Sequence, residues 1–279
     1  MGSTVRPATG PNELDDLTAR SRICCPTAAS RFGVVVPVHD EERLLPAALA
    51  SLDRAIRHVS ASSAVPIRVV VVLDDCTDRS GQVVERWKKL GGDLGGRRSI
   101  EILEVAFRNV GQARRAGCLA LLDCWSDVVP DHIWLATTDA DSQVPRTWIS
   151  AQMRARADGG QVWIGPVEVR DWSDRSPGTA EAWRRHYAAE HTPVHGANFG
   201  IDAQTYLEAG GFPGLTSSED RALFEQAVRR GAVVRGHLAV PVATSGRRKA
   251  RAPLGFAHAL TTIEAAVASG VQKRSACVS

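Results

Sequence analysis

The chain has 279 residues, 44% of them hydrophobic and 23% charged, with a formal net charge of +3. That length can bury a core in one large domain or two small ones, and near-neutrality argues against wrapping nucleic acid or a polybasic membrane anchor. No run reaches the roughly 18–20 apolar residues that span a bilayer, so no transmembrane segment is expected.

Residues 1–30 are rich in Pro, Ser, Thr, Gly and Asp and lack an apolar run. They read as a flexible leader and not as a secretory signal. The six cysteines, Cys24, Cys25, Cys76, Cys118, Cys124 and Cys277, form no CxxC pair. Without an export signal they are expected to be reduced thiols of a cytoplasmic protein.

RFGVVVPV at 31–38 is a short β-branched run of the kind buried on both faces of a sheet. His39-Asp40-Glu41-Glu42 then predicts a turn with acids in the first helical turn, where they suit the dipole. The helix runs to about His58, with Leu44, Leu45, Leu49, Leu52 and Ile56 on one face. Residues 67–73 form a second strand, closed by Asp74-Asp75-Cys76-Thr77-Asp78, and Asp78 is a candidate N-cap for a helix through Val83, Val84 and Trp87. Residues 91–98 are a glycine-rich loop with no strand immediately before it and no helix after it, so it is not a phosphate cradle. A third strand covers 100–105. Asn109 caps a helix through Ala116, Leu119, Leu122 and Trp125, and Ile133–Thr137 is a fourth strand. This alternation predicts an α/β fold with a doubly wound, mostly parallel sheet.

The second half predicts a helix over 146–157, a strand over 161–169, a loop over 171–178 and a helix over 180–190, with Trp183 and Tyr187 sharing a face. The small residues of 195–200 let backbone approach a ligand closely. A short helix near 203–209 precedes Ser217-Ser-Glu-Asp220, which opens a helix to Arg230 with Leu223, Phe224, Ala227 and Val228 inward. One or two strands follow over 232–244, then a basic loop over 245–251, a last helix over 254–268 and a flexible tail over 269–279.

Charged groups directly after a core strand are costly to bury unless something pairs with them. Asp139 and Asp141 follow the fourth strand one residue apart, and a divalent cation, Mn²⁺ or Mg²⁺, is the simplest partner for two hard carboxylates. Open α/β sheets bind ligands at the carboxyl edge of their strands. Polar clusters recur there after three strands, at 39–41, 74–75 and 139–141.

Seven segments carry a family resemblance: VVVPVHDEE (34–42), VVVVLDDCTDRS (69–80), NVGQARRAG (109–117), TTDADS (137–142), GANFGID (196–202), GGF (210–212) and SSED (217–220). In this order and spacing they resemble a family 2 glycosyltransferase of the GT-A fold, over nearly all of 31–260. The resemblance implies a Rossmann-like, mostly parallel central sheet flanked by helices. Residues 31–145 would be the nucleotide-sugar (donor) half, and 146–268 the acceptor-binding and catalytic half of the same domain.

The resemblance also implies roles. Pro37, His39, Glu41 and Asp74 or Asp75 would hold the nucleoside, since a carboxylate can accept a uracil imide N–H. Gly111 would admit the donor, and Arg114 or Arg115 would pair with its diphosphate. Asp139 and Asp141 match the metal pair, with Ala140 between them on the donor and Ser142 and Gln143 within reach of sugar or metal shell. Asp220 matches the base that takes the acceptor proton, with Glu219 as the alternative. Gly196, Ala197 and Asn198 would line the acceptor side. Arg247 or Arg248 would close over the diphosphate, and His237 and His258 are candidate third metal ligands. The expected partners are a UDP- or GDP-type nucleotide sugar and a hydroxyl acceptor, with single-sugar, inverting transfer. Polymerising relatives carry membrane helices and a Gln-x-x-Arg-Trp motif after the acid, and both are missing here. Retaining transfer, nucleotidyl transfer and a non-catalytic sugar-nucleotide-binding subunit are the alternatives.

Overall fold

The β-branched runs become the centre of the molecule. A computed structural model describes residues 30–90, 98–189, 194–236, 238–248 and 255–269. Strands β1 (Arg31–Val38), β2 (Ile67–Asp74), β3 (Arg98–Val105) and β4 (Ile133–Thr137) pair in parallel in the order β3-β2-β1-β4. Val34, Val35 and Val36 of β1 and Val69 to Val72 of β2 are buried on both faces of the sheet, which explains why these strands are continuous apolar runs and not alternating ones.

Helices α1 (Leu45–Ser60), α2 (Ser80–Leu90) and α3 (Val110–Cys124) are the crossovers. Leu45, Leu49, Leu52 and Ile56 of α1 are buried, and each such side chain contributes about 1.5–3 kcal/mol by leaving water. The acids expected in the first turn of α1 lie before it, because the helix starts at Leu45 with no acid in its first turn. Residues 41 and 42 are used elsewhere: Ser80 Oγ accepts from the Glu41 N–H, and Asp78 from that of Glu42, at 2.9 Å each. Asn109 caps α3 by accepting from Gln112 N. Most of the 91–98 loop lies outside the described residues, and Arg98 itself begins β3.

After α4 (Trp148–Ala157), three further strands extend the sheet beyond β4. Strand β5 (Val162–Ile164) and strand β7 (Phe199–Asp202) pair antiparallel, and β7 also runs antiparallel to β4. Strand β8 (Val234–Gly236) is parallel to β5. The single strand expected over 161–169 is two. Gly165-Pro166 breaks it, and β6 (Val167–Val169) leaves the main sheet to pair with β9 (Val242–Thr244). Helices α5 (Thr179–Ala189), α6 (Ala203–Glu208), α7 (Glu219–Arg229) and α8 (Phe256–Ala268) complete the chain. In α7, Leu223 and Ala227 are buried, while Val228 is 43% exposed, one position further round the helix than expected. No described helix is long and apolar enough to cross a membrane.

Candidate active site

The carboxyl ends of β1, β2 and β4 open into one cleft of about 630 Å³, whose other walls include residues 194–197, 216–221, 244, 245, 247, 255–257 and 259. The Asp139–Ser142 turn sits on its floor and is pinned from three directions. Ser51 Oγ accepts from Val144 N at 3.0 Å, Gln143 and Ala243 exchange backbone hydrogen bonds at 2.7 and 3.0 Å, and Ser142 Oγ donates to Thr244 Oγ1 at 3.1 Å. The short apolar strand therefore ends in a rigid presentation of Asp139 and Asp141.

Two guanidiniums organise the carboxylates. Arg114, 4% exposed on α3, pairs with Asp139 through one nitrogen and with Glu219 through the other. Gly196 leaves the room this needs: a Cβ there would fall 2.3 Å from the Arg114 guanidinium carbon. Arg247 grips both oxygens of Glu41, at 2.6 and 2.7 Å, and reaches Asp141 at 3.1 Å. Burial pushes the Asp141 carboxyl up to about 6; Arg247 opposes the shift, and Asp139 and Glu41 reinforce it.

Asp220 and Glu219 open α7 side by side but are placed differently. Glu219 is 2% exposed and committed to Arg114. Asp220 is half-buried, lines the cleft and accepts from Gly196 N at 2.6 Å and Arg221 N at 2.7 Å. Ser218, just before them, is in the left-handed region at φ 62°. The other described non-glycine residues with positive φ are Asp40, Asp75 and Arg108, in the turns that follow β1, β2 and β3. Strained backbone of this kind costs about 1–3 kcal/mol per residue and concentrates at functional sites.

On the β1–β2 side, His39 Nδ1 lies 2.6 Å from the Asp74 carbonyl oxygen, so that nitrogen carries the proton. The buried Asp74 carboxylate accepts from the backbone N–H groups of Phe107, Arg108 and Asn109, at 2.6, 2.8 and 2.9 Å. It shapes the turn into α3, and Asp75 pairs with Arg108.

The cleft brings together Pro37, His39, Glu41, Asp74, Arg114, Asp139, Ala140, Asp141, Gly196, Ala197, Glu219, Asp220 and Arg247. Other sequence candidates stand outside its lining. Gly111 packs against backbone, with a Cβ position 2.3 Å from Pro213 O. Arg115 donates to Gly210 O at 2.8 Å, and Arg248 pairs with Glu264 at 2.7 Å. The wholly buried Asn198 is a core hub. Its Oδ1 accepts from Trp148 and Trp163 Nε1 at 2.9 and 3.1 Å, and its Nδ2 donates to Pro166 O and Val240 O at 2.9 Å each. His258 is exposed on α8, and His237 lies outside the described residues. Sequence reasoning missed His195, Thr244 and Phe256, which line the cleft; none stands in a motif.

Among the described residues, Asp40, Cys76 and Asp78 also bring possible metal-ligating atoms within 4.8 Å of one another. Their carboxylates already accept backbone N–H groups: Asp40 takes those of Thr77 and Asp78, and Asp78 those of Glu42 and Ser80. This group holds the β1 and β2 turns together behind the cleft.

A parallel sheet with one antiparallel strand, and an Asp-x-Asp turn at its carboxyl edge, define a Rossmann-like GT-A fold. Three solved structures share it. S. aureus TarS 1–349, solved with UDP-GlcNAc, is 15% identical with a TM-score of 0.57, covering 84% of this chain and 65% of that one. The mannosyltransferase PcManGT from Pyrobaculum calidifontis, solved with GDP-Man and Mn²⁺, is 21% identical with a TM-score of 0.55 over 81% of this chain and 60% of that one. Glucosyl-3-phosphoglycerate synthase from Mycobacterium tuberculosis, solved with Mg²⁺ and UDP, is 15% identical with a TM-score of 0.50 over 95% and 84%. This chain thus spans about two thirds or less of the length of the first two. No curated protein sequence matches it. The Glycosyl transferase family 2 model matches residues 33–214, and the chain belongs to that family.

Proposed function

We propose that the chain transfers a single sugar from a UDP- or GDP-type donor to a hydroxyl acceptor, in a metal-dependent reaction that inverts the anomeric centre. The observation that carries this reading is one cleft that holds Asp139 and Asp141 from the end of β4 together with Asp220 from the start of α7. Residues 31–145 serve as the donor half and 146–268 as the acceptor half.

The donor set fits a hard divalent cation. Asp139 and Asp141 offer carboxylate oxygens on a pinned turn, and Mg²⁺ or Mn²⁺ held by two carboxylates completes its shell with phosphate oxygens and water. Both acids now face guanidiniums, so the positions already attract cations. When bound, the metal neutralises charge developing on the departing nucleoside diphosphate.

The chain's own residues do the rest. Arg247 and Arg114 reach the cleft floor, at Asp141 and Asp139 respectively, and suit a diphosphate, whose oxygens their planar forks bind in pairs. His39 and Pro37 line the end where the nucleoside fits, and Gly196 and Ala197 the acceptor side. Asp220 takes the acceptor proton as the hydroxyl oxygen bonds to the anomeric carbon and the bond to the phosphate oxygen breaks. The hydrogen bond from Gly196 N aims its carboxylate. Glu219, buried and ion-paired, is a poor base and serves to hold Arg114.

The test is a thermal-shift panel of UDP-, GDP- and dTDP-sugars with and without Mn²⁺. A ligand at about 100 times its Kd adds about 2.7 kcal/mol, so one of these sugars is expected to raise the melting temperature in the presence of metal. No stabilisation by any of them would overturn the reading. Proton NMR of the product then reads the anomeric configuration directly.

A further inference from the structure

Arg175 lies in the loop between β6 and α5, outside the cleft lining, and its side chain is 0% exposed. Its guanidinium gathers two distant segments. Nε donates to Gly246 O at 2.7 Å, and Nη2 donates to the carbonyls of Arg247 and, at 3.3 Å, Ala257. Nη1 donates to Thr261 Oγ1 at 3.0 Å and pairs with Glu264 at 3.2 Å. The chain leaving β9 is thereby fastened to α8.

Neighbouring contacts reinforce the joint. A Cβ at Gly246 would fall 2.4 Å from Asp171 O, so the 246 backbone lies directly on the Arg175 loop. Arg248 closes the outside, donating to Asp174 O and pairing with Glu264 at 2.7 Å. Hydrogen bonds from Ser176, aided by Arg175, hold the Glu264 carboxyl down to about 2. The side chains of residues 247 and 248 thus part: Arg248 joins the clamp, and Arg247 turns into the cleft toward Glu41 and Asp141.

A fully buried arginine is costly unless its donors are satisfied, and hydrogen bonds to three carbonyls of two segments are more than a simple core ion pair needs. A planar fork fixes those carbonyls at defined angles, which a lysine ammonium on a flexible stem does not.

We propose that Arg175 is a positioning residue for donor binding, setting through the Arg247 backbone where the Arg247 guanidinium meets the diphosphate. This rests on the nucleotide-sugar reading of the cleft. The experiment is a double-mutant cycle on Arg175→Lys and Arg247→Ala, reading UDP and GDP affinity by calorimetry with Mn²⁺. Melting temperatures are recorded beside each titration.

Each single variant is expected to bind about tenfold more weakly, and the double no more weakly than Arg247→Ala alone, the coupling of residues that act as one unit. Losses that multiply in the double variant, or wild-type affinity in Arg175→Lys or in Arg247→Ala, would overturn the proposal. Should Arg175→Lys not fold, the isosteric Glu264→Gln, which loosens the same clamp, takes its place in the cycle with the same two outcomes. A wild-type protein that binds neither UDP nor GDP defeats the nucleotide reading itself, whereas wild-type binding with multiplying losses defeats only the role of Arg175.

Discussion

Asn198 offers a direct measure of how the core holds the segment that leads from Gly196 into β7. Replacing it with Ala orphans three buried groups at once, the indole N–H of Trp148 and of Trp163 and the carbonyl of Val240, while the Pro166 carbonyl keeps only its bond from Val242 N. An unsatisfied buried donor or acceptor costs about 1–3 kcal/mol, so three at the low end sum to about 3 kcal/mol. Against a total stability of about 5–15 kcal/mol that is a large share. In a protein of this size each kcal/mol lowers the melting temperature by roughly 2–4 °C, so the expected drop is at least roughly 6 °C. Asn198→Asp keeps two acceptor oxygens for the indoles but sets a carboxylate against two carbonyls, and should also melt early. Circular dichroism melts of the three proteins make the comparison. A melting temperature unchanged in Asn198→Ala would refute the hub.

Gly196→Ala places a methyl where the Arg114 guanidinium sits, and misplacing a site group by about 1 Å can cost about 10²-fold in rate. Nucleoside diphosphate release should fall by that order with the fold intact by circular dichroism; full turnover would contradict the Arg114 packing. A third prediction concerns acid. Glu264 is held near 2, below its ordinary 4.5, so its contribution to stability is present above pH 4.5 and lost as pH falls toward 2. Urea melts across that range should show the wild-type advantage over Glu264→Gln shrinking as pH drops. An advantage independent of pH would contradict the Glu264 contacts.

Strands β1, β2 and β4 were legible because they are buried on both faces, which leaves continuous apolar runs. Ile133–Thr137 was bounded by its own composition, and Asn109 was visible as a cap because an N-cap needs only local sequence. The split of 161–169 turned on Gly165-Pro166, a breaker pair present in the sequence but outweighed by the valines around it. Contacts across the chain were not legible. Arg114 meets Glu219 at a separation of 105 residues and Arg247 meets Glu41 at 206, and no periodicity encodes such pairings. For the same reason the sequence offered Arg114 with Arg115 and Arg247 with Arg248 as equals. Only packing turns one of each pair into the cleft. Arg175 carried no signal at all, because its partners are mainly backbone carbonyls.

The proposed division of labour gives Asp139 and Asp141 the leaving nucleotide and Asp220 the nucleophile. Calorimetric titration of Mn²⁺ with UDP or GDP, paired with nucleoside diphosphate release from the stabilising donor, measures both halves in Asp139→Asn, Asp141→Asn and Asp220→Asn. The two metal-pair variants should lose metal-dependent nucleotide binding, while Asp220→Asn keeps it and loses about 10²–10⁴-fold in turnover. Wild-type turnover in Asp220→Asn, or metal-dependent binding retained in Asp139→Asn and Asp141→Asn, would contradict the account.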